Sequence, residues 1–319
     1  MLRRRRRSSL LRLHRKNLGA SVSLFIFSLL VFCGCSLFKP PASNFESDTY
    51  IGSLTTSRSF GHFKNAQAIS IDGLGNIYVV DADAPGVYKF SATGDSLRSA
   101  IGTGSKHGEF DLPVDIDASL TNSIAIADRN NHRIELYSRD LIWQATIEGH
   151  LPGSEIRFGF PSSVRAGSSG YYYLIDNEAT RLLAINPSRG TQQIITTSST
   201  AGSTTLNPQS VVIDPSEYIT VADVTSHSLL QFNNAFALAK QFGYPSVSEI
   251  RLSSSGDDLF ITNPMLNSIR VFDSHSLSYR GSYSLPAQAA KAVMVVSADT
   301  AFYVLTKETV IVCSISSTH

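Results

Sequence analysis

The sequence predicts an all-β chain: a six-bladed β-propeller of four-stranded antiparallel blades, with the last blade closed by an N-terminal strand. Three observations carry this. A carboxylate ends a short apolar run and returns at near-constant spacing, in Asn76–Asp81, Ser123–Asp128, Tyr171–Asp176 and Tyr218–Asp223, with steps of 47, 48 and 47 residues. Asp258–Asn263 is a fifth copy with Asn in the terminal place. Around each copy the chain parses into four short segments of alternating character separated by turn residues. A sixth unit is one segment short, and an unassigned strand-like stretch, Thr49–Thr55, precedes the first unit. A fixed period of this size means supersecondary units that bury their faces against one another.

The segments follow in order. The first unit gives strands at 68–72, 76–80, 86–90 and 96–101, with Gly73 and Gly75 in its first turn. The second gives 114–117, 123–127, 133–137 and 141–147, and the third 163–166, 171–175, 181–185 and 192–197. The fourth spans 210–213, 218–222, 228–232 and 237–242; the fifth 249–252, 258–262, 268–272 and 277–283. The sixth supplies only 292–296, 301–305 and 309–313. Borrowing Thr49–Thr55 as its fourth strand closes the ring and removes an exposed edge. In Tyr171-Tyr172-Tyr173 the middle ring points away from its neighbours, because side chains alternate along a strand. Phe63, Phe110, Phe160 and Tyr244 recur just before first strands and are expected to pack between blades.

The 319 residues are 42% hydrophobic and 17% charged, enough apolar side chains for a core. The formal charge of +1 averages two unlike parts. Residues 1–17 hold eight of the 27 cations and no acid precedes Glu46, so the body carries 19 cations against 26 acids. A mildly acidic body argues against nucleic acid as a partner, which needs a basic face. The basic start leads into an apolar run, 18–32, and then Cys33-Gly34-Cys35-Ser36. This is the pattern of an export signal, too short for an ordinary spanning helix. Domain boundaries follow: a signal over 1–34, a Pro-containing tether over 35–48 and the propeller over 49–319. Cleavage without lipidation, an uncleaved signal anchor and twin-arginine export are the alternatives. Beyond Cys35 the only thiol is Cys313, so no internal disulfide is available to the body.

Two resemblances refine this reading. The terminus resembles a bacterial lipoprotein signal through Gly34-Cys35, which implies acylation of Cys35 and a membrane partner. Ser36 implies the outer membrane, otherwise the cell surface or the periplasmic face of the inner membrane. The stretch from Gly102-x-Gly104-x-x-x-Gly108-Glu-Phe110-x-x-Pro113 to Asp128-Arg-Asn-Asn131-His132-Arg133-Ile134 resembles an NHL repeat, with Asn131-His132 as its signature. The first unit matches through Phe63, Asp72 to Asn76 and Asp81; the fourth through Pro208 to Asp214, Asp223 and His227. Units three, five and six match in strand pattern only, so the likeness covers most of residues 60–313. It implies a six-bladed propeller in a family that includes lyases and hydrolytic relatives holding calcium or zinc near the axis. WD40 repeats are disfavoured because Trp143 is the sole tryptophan.

The repeated Asp81, Asp128, Asp176 and Asp223, with Asn263, are read as structural, because a strand-ending carboxylate accepts N–H bonds in the next turn. Asp128 is placed to meet Arg133, and Asp176 to meet Arg181. The turns after the second strands put Asp83, Arg129, Asn130, His132, Glu178, Thr225, His227 and Asn267 on one face, the candidate binding face. His132 and His227 occupy equivalent corners and are the alternative metal ligands; otherwise no metal or cofactor is expected. Pro85, Thr180 and Asn267 stand at that corner in other blades. No nucleophile elbow, His-x-x-x-His pair or phosphate loop stands out.

The main expectation is therefore a monomeric, membrane-tethered, non-enzymatic scaffold for an envelope protein or glycan. The alternative is a metal-dependent lyase or lactonase of the six-bladed type. Acylation of Cys35 has a direct check: intact-mass analysis of the mature protein should place its first residue at Cys35 with acyl chains attached, and an unmodified start elsewhere removes the lipoprotein expectation.

Overall fold

The computed structural model describes residues 50–316 apart from 121–122, 151, 153, 198–205, 245–248 and 299–300. The signal, the tether and Cys35 lie outside the described residues. Strand β1 is Tyr50–Phe60. Four groups then each form one four-stranded antiparallel sheet in sequence order. They are β2–β5 (Ala66–Ile71, Ile77–Asp81, Gly86–Phe90, Ser96–Ile101) and β6–β9 (Pro113–Asp117, Ile124–Asp128, Arg133–Tyr137, Trp143–Glu148). The next two are β10–β13 (Pro161–Ala166, Tyr172–Asp176, Arg181–Asn186, Thr191–Ile195) and β14–β17 (Pro208–Ile213, Ile219–Asp223, Ser228–Phe232, Leu238–Gly243). Strands β18–β21 (Arg251–Ser255, Asp258–Thr262, Ser268–Asp273, Tyr279–Ser284) and β22–β24 (Met294–Ala298, Ala301–Leu305, Val310–Ile315) join through β1 into an eight-stranded sheet. Among the described residues the only helical turns are the 3₁₀ segments Pro187–Arg189 and Ala287–Ala289.

Burial falls from the first two strands of each group to the last. All five residues of β3, β7 and β15 are buried, whereas β5 and β17 are largely exposed. A strand sandwiched between two neighbouring sheets buries both of its faces, which is why these second strands read as continuous apolar runs. Alternate residues feed different interfaces. On β11, Tyr172 and Leu174 pack with Val114, Ala125 and Ala127 of the preceding sheet, while Tyr173 and Ile175 pack with Val211, Ile219 and Val221 of the following one. The innermost strands β2, β6, β10, β14, β18 and β22 contact one another in turn, and β22 contacts β2. Sheets stacked face to face around an axis in this way make a β-propeller.

Neighbouring innermost strands are not paired with one another in a ladder, so polar side chains tie them. The Ser70 hydroxyl accepts from Ala118 N (2.9 Å), Asp115 Oδ2 from Val164 N (2.9 Å), Asp117 Oδ2 from Ala166 N (2.7 Å) and Ser210 Oγ from Leu252 N (3.0 Å).

The N-terminal strand does more than fill the vacancy that the sequence exposes. Leu54–Phe60 pairs antiparallel with Ile315–Val310 of β24, with a bulge between Thr56 and Arg58. Its first residues, Tyr50–Ser53, pair parallel with Ser282–Ser284 of β21 in the adjacent group. The strand is thus longer than Thr49–Thr55 and staples two groups together.

The aromatic expectation needs one correction. Phe63 and Phe110 are buried, but Phe160 is 38% exposed. The buried ring of that unit is Phe158, three residues before Pro161, just as Phe110 lies three before Pro113. The ring partners of Phe63 and Phe110 also lie within their own groups: Tyr88 and Phe90 for the first, Tyr137 for the second.

Leu54 is 3% exposed and packs with Phe302, Val304 and Cys313. Leu54→Ala should lower the unfolding free energy by about 2–4 kcal/mol, measured by urea titration. Deleting residues 50–60 should leave two strand edges open and produce a concentration-dependent aggregate in light scattering. A deletion that stays monomeric and equally stable would show that β1 does not close the ring.

Candidate functional site

The recurring carboxylates do more than close the following turn, since each also reaches back to the segment that leads into its own first strand. Asp81 accepts from Lys64 N (2.6 Å) and Asn65 N (3.0 Å) as well as from Asp83 N and Ala84 N. Asp223 accepts from Asn207 N (2.6 Å) and Ser226 N (2.8 Å), and Asp176 from Gly159 N (3.2 Å) and Glu178 N (3.1 Å). Asn263 Oδ1 accepts from Met265 N (2.7 Å). These clasps set the rim of one end of the ring.

Asp128 is the most elaborate of them. It accepts from Asp111 N (2.8 Å), Asn131 Nδ2 (2.7 Å) and Arg133 Nε (3.1 Å), with no exposed surface. Arg133 also donates to the carbonyls of Ser105, Lys106 and Glu109, and its Nη2 lies 2.9 Å from Glu135 Oε1. Glu135 Oε2 takes the Trp143 indole N–H (2.7 Å) and the Thr146 hydroxyl (2.9 Å). Two buried carboxylates therefore share one guanidinium. Burial pushes Asp128 up to about 6, against the lowering by Asn131, Asp111 N–H and Arg133. The second such pair, Arg181 Nε to Asp176 Oδ2, is 2.9 Å long.

The candidate binding face is only partly assembled. His132, Thr180 and His227 hold positive φ (55°, 50° and 48°), the left-handed place that ends their four-residue turns. Arg129, His132 and Glu178 gather around Phe160. The Arg129 guanidinium lies 5.8 Å from the ring, His132 meets its edge at 4.6 Å, and His132 Nδ1 accepts from Phe160 N (3.2 Å). A Cβ at Gly159 would lie 2.1 Å from Glu178 Oε2 and 3.2 Å from His132 Nδ1, so both groups crowd that backbone. Phe160 itself holds φ 41° just before a proline, an uncommon place for a bulky residue. The others stand apart. Asp83 accepts from Asn65 Nδ2 (3.3 Å), Asn130 donates to Asp111 (3.0 Å), and Asn267 Nδ2 reaches Leu285 O (3.4 Å). Thr225 and His227 are exposed.

A cavity of about 1100 Å³ opens on the clasp-bearing end. The starts of the innermost strands line it through Gln67, Gln209 and Arg251, and the loops through Arg129, Glu249, Lys291, Lys307 and Glu308. Of the eight nominated face residues only Arg129 lines it. Asp115 lies below, 1% exposed, accepting from the Ser163 hydroxyl (2.7 Å), Val164 N (2.9 Å) and Arg165 Nη1 (2.7 Å). Arg165 lines a second cavity of about 410 Å³ at the opposite end. Arg251 is surrounded by protein yet keeps part of its surface open to the larger cavity. Burial pulls its guanidinium below the usual value, Asp115 and Glu249 oppose this, and Arg165 adds to it.

Among the described residues no three His, Cys, Asp or Glu side chains are grouped to hold an ion, and His132 Nδ1, one of its two ring nitrogens, accepts from Phe160 N. Cys313 is buried, with its thiol pushed up to about 11 by burial, so it offers neither thiolate ligand nor nucleophile.

No known protein family and no curated protein matches the sequence. Solved structures do match in shape. A streptogramin B lyase superposes with a TM-score of 0.59 at 11% identity, covering 85% of this chain and 100% of the lyase. Virginiamycin B lyase from Staphylococcus aureus gives 0.58 at 13% identity, covering 82% and 99%. A chain of the nidogen/laminin complex gives 0.52 at 16%, covering 72% and 83%. At these identities the likeness shows the β-propeller fold. The expectation of a non-enzymatic scaffold needs correction, whereas the membrane tether falls outside the described residues. Two of the folds matched over nearly their whole length are lyases by name.

The Asp128 cluster predicts an unusual pH response. Its native carboxyl binds a proton at pH values where the unfolded chain, titrating near 3.8, does not. Wild type should therefore gain on the order of 2 kcal/mol relative to Asp128→Asn as pH falls from 7 to 4.5. Urea titrations at both pH values measure this; an unchanged difference means that Asp128 does not take up the proton.

Proposed function

We propose that the chain is an enzyme, a lyase or lactonase on a six-bladed NHL-type β-propeller, acting on a small molecule held in the axial cavity. The observation that carries this reading is the cavity itself. It lies on the axis at the clasp-bearing mouth, and its wall combines apolar backbone-close residues with a few convergent charged groups, as substrate sites do. Its position at the end where rigid strands deliver loops is where such scaffolds place function. The shape likeness to two lyases supports the same class, and the closed cycle of innermost strands supports six blades.

The wall supplies what opening an ester ring requires. Glu249 and Glu308 are the carboxylates available to take a proton, and Lys291 and Lys307 the ammonium groups available near a leaving oxygen. Gln67 and Gln209 offer neutral donors and acceptors for orientation.

The test is incubation of the purified protein with quinupristin, which is present in a structure of catalytically inactive virginiamycin B lyase, and with simple lactones, followed by mass spectrometry. A ring-opened product of unchanged mass marks elimination; gain of one water marks hydrolysis. Glu249→Gln and Glu308→Gln together should lower turnover by about 10²-fold or more. No product from any of these substrates would overturn the proposal.

A further inference from the structure

Arg251 poses a physical problem that the fold does not solve. It projects from β18 among the axial residues, where Asp115, a carboxylate that acts on it, is already filled by Ser163, Val164 N and Arg165. Among the described residues no hydrogen bond or ion pair within 4 Å reaches its guanidinium. The axial group thus holds the guanidinium ions of Arg165 and Arg251 around Asp115, with Glu249 on the rim as the other carboxylate that acts on Arg251. A buried unpaired charge is costly, and such groups are normally paired or hydrogen-bonded. The open surface of Arg251 faces the larger cavity, whose rim adds Arg129, Lys291 and Lys307 against Glu249 and Glu308. Both floor and rim carry surplus positive charge.

The geometry points to Arg251 as the residue that holds a carboxylate of the substrate or product at the floor of the axial cavity. The planar guanidinium matches a carboxylate by two parallel hydrogen bonds, and a single surplus charge at the floor is neutralised by one monoanion. The inference rests on reading this cavity as the substrate site, and it deepens that reading. In elimination a base removes the proton beside the breaking C–O bond, the C–H pair becomes the new C=C bond, and the C–O pair departs on the acyl oxygen as a carboxylate. Hydrolysis instead adds the hydroxyl of water to the acyl carbon and yields an alcohol and a carboxylate. Either way negative charge gathers on the acyl oxygens, and a preorganised cation in a recessed site stabilises it as it forms.

The test needs no turnover. The thermal midpoint of the whole protein is followed against benzoate, benzamide and inorganic phosphate, at fixed ionic strength set by chloride. Benzoate should raise the midpoint saturably and benzamide should not. In Arg251→Gln the half-saturating benzoate concentration should rise at least tenfold, while the unliganded variant should be as stable as wild type or more so, because an unpaired charge is gone. Equal benzoate responses in the two proteins would overturn the assignment, as would equal responses to benzoate and benzamide. A stronger response to phosphate would overturn the carboxylate class. If Arg251→Gln does not fold, Arg251→Lys keeps the charge but loses the fork, and its half-saturation should also rise. Benzoate binding without turnover of any lactone would leave this site standing and remove the enzyme reading; turnover with an Arg251-independent benzoate response would do the reverse.

Discussion

The structure depends on how strands are held where no sheet ladder can hold them. A β-sheet satisfies its own backbone between neighbouring strands, but the innermost strands of successive groups around the axis form no ladder with one another and are tied largely through side chains. Two sets of polar bonds meet that constraint. Ser70, Asp115, Asp117 and Ser210 bind backbone N–H groups on the next innermost strand. Asp81, Asp128, Asp176 and Asp223 fasten the lead-in to each first strand onto the end of the second. The first set fixes the width of the axial space and the second fixes its rim. Apolar packing between the sheets fills the rest, with alternate residues of one strand serving opposite neighbours.

The same geometry leaves two clusters of charge, one buried and one opening on the axial cavity, that are out of balance in opposite senses. Between the second and third strands of one sheet, Asp128 and Glu135 surround Arg133 with an excess of negative charge. On the axis, Arg165 and Arg251 flank Asp115 with an excess of positive charge. The first cluster is closed to solvent, so the only mobile partner that can balance it is a proton. The second opens on a cavity large enough for a small molecule. A fold that retains both gives up stability at each, and only the axial one lies where a ligand can recover it.

Much of this architecture is readable from the sequence because it repeats. The interval between Asp81, Asp128, Asp176 and Asp223 and the alternation around it mark the strands to within two or three residues, and the missing strand of the last unit points to the N-terminal segment. What does not repeat is hidden. Arg251 falls in a unit whose motif has decayed, and Asp115 looks like any strand residue until folding brings β6, β10 and β18 to one axis. The cavity wall draws single residues from many units, so no local spacing announces it. Phe160 misleads for a different reason. A ring near Pro161 suggests a core position, but the distance to the proline sets which ring is inside, and that ring is Phe158. Of the residues nominated after the second strands only Arg129 reaches the cavity wall, and Asp83, Asn130 and Asn267 bond to Asn65, Asp111 and Leu285 in other segments.

The double attachment of β1 has a mechanical consequence. Its first residues run beside β21 and the remainder beside β24, so the strand is bonded along nearly its whole length and on both flanks in succession. Tension applied to the chain ahead of residue 50 is therefore delivered along the strand axis, across many backbone bonds at once. Bonds loaded together must yield together, whereas a hairpin pulled from its open end gives way one pair at a time. The seam that completes the ring is thus also the element oriented to resist a pull from its own leading segment, and its lifetime under load is set by the rate of rupture rather than by the equilibrium stability of the fold.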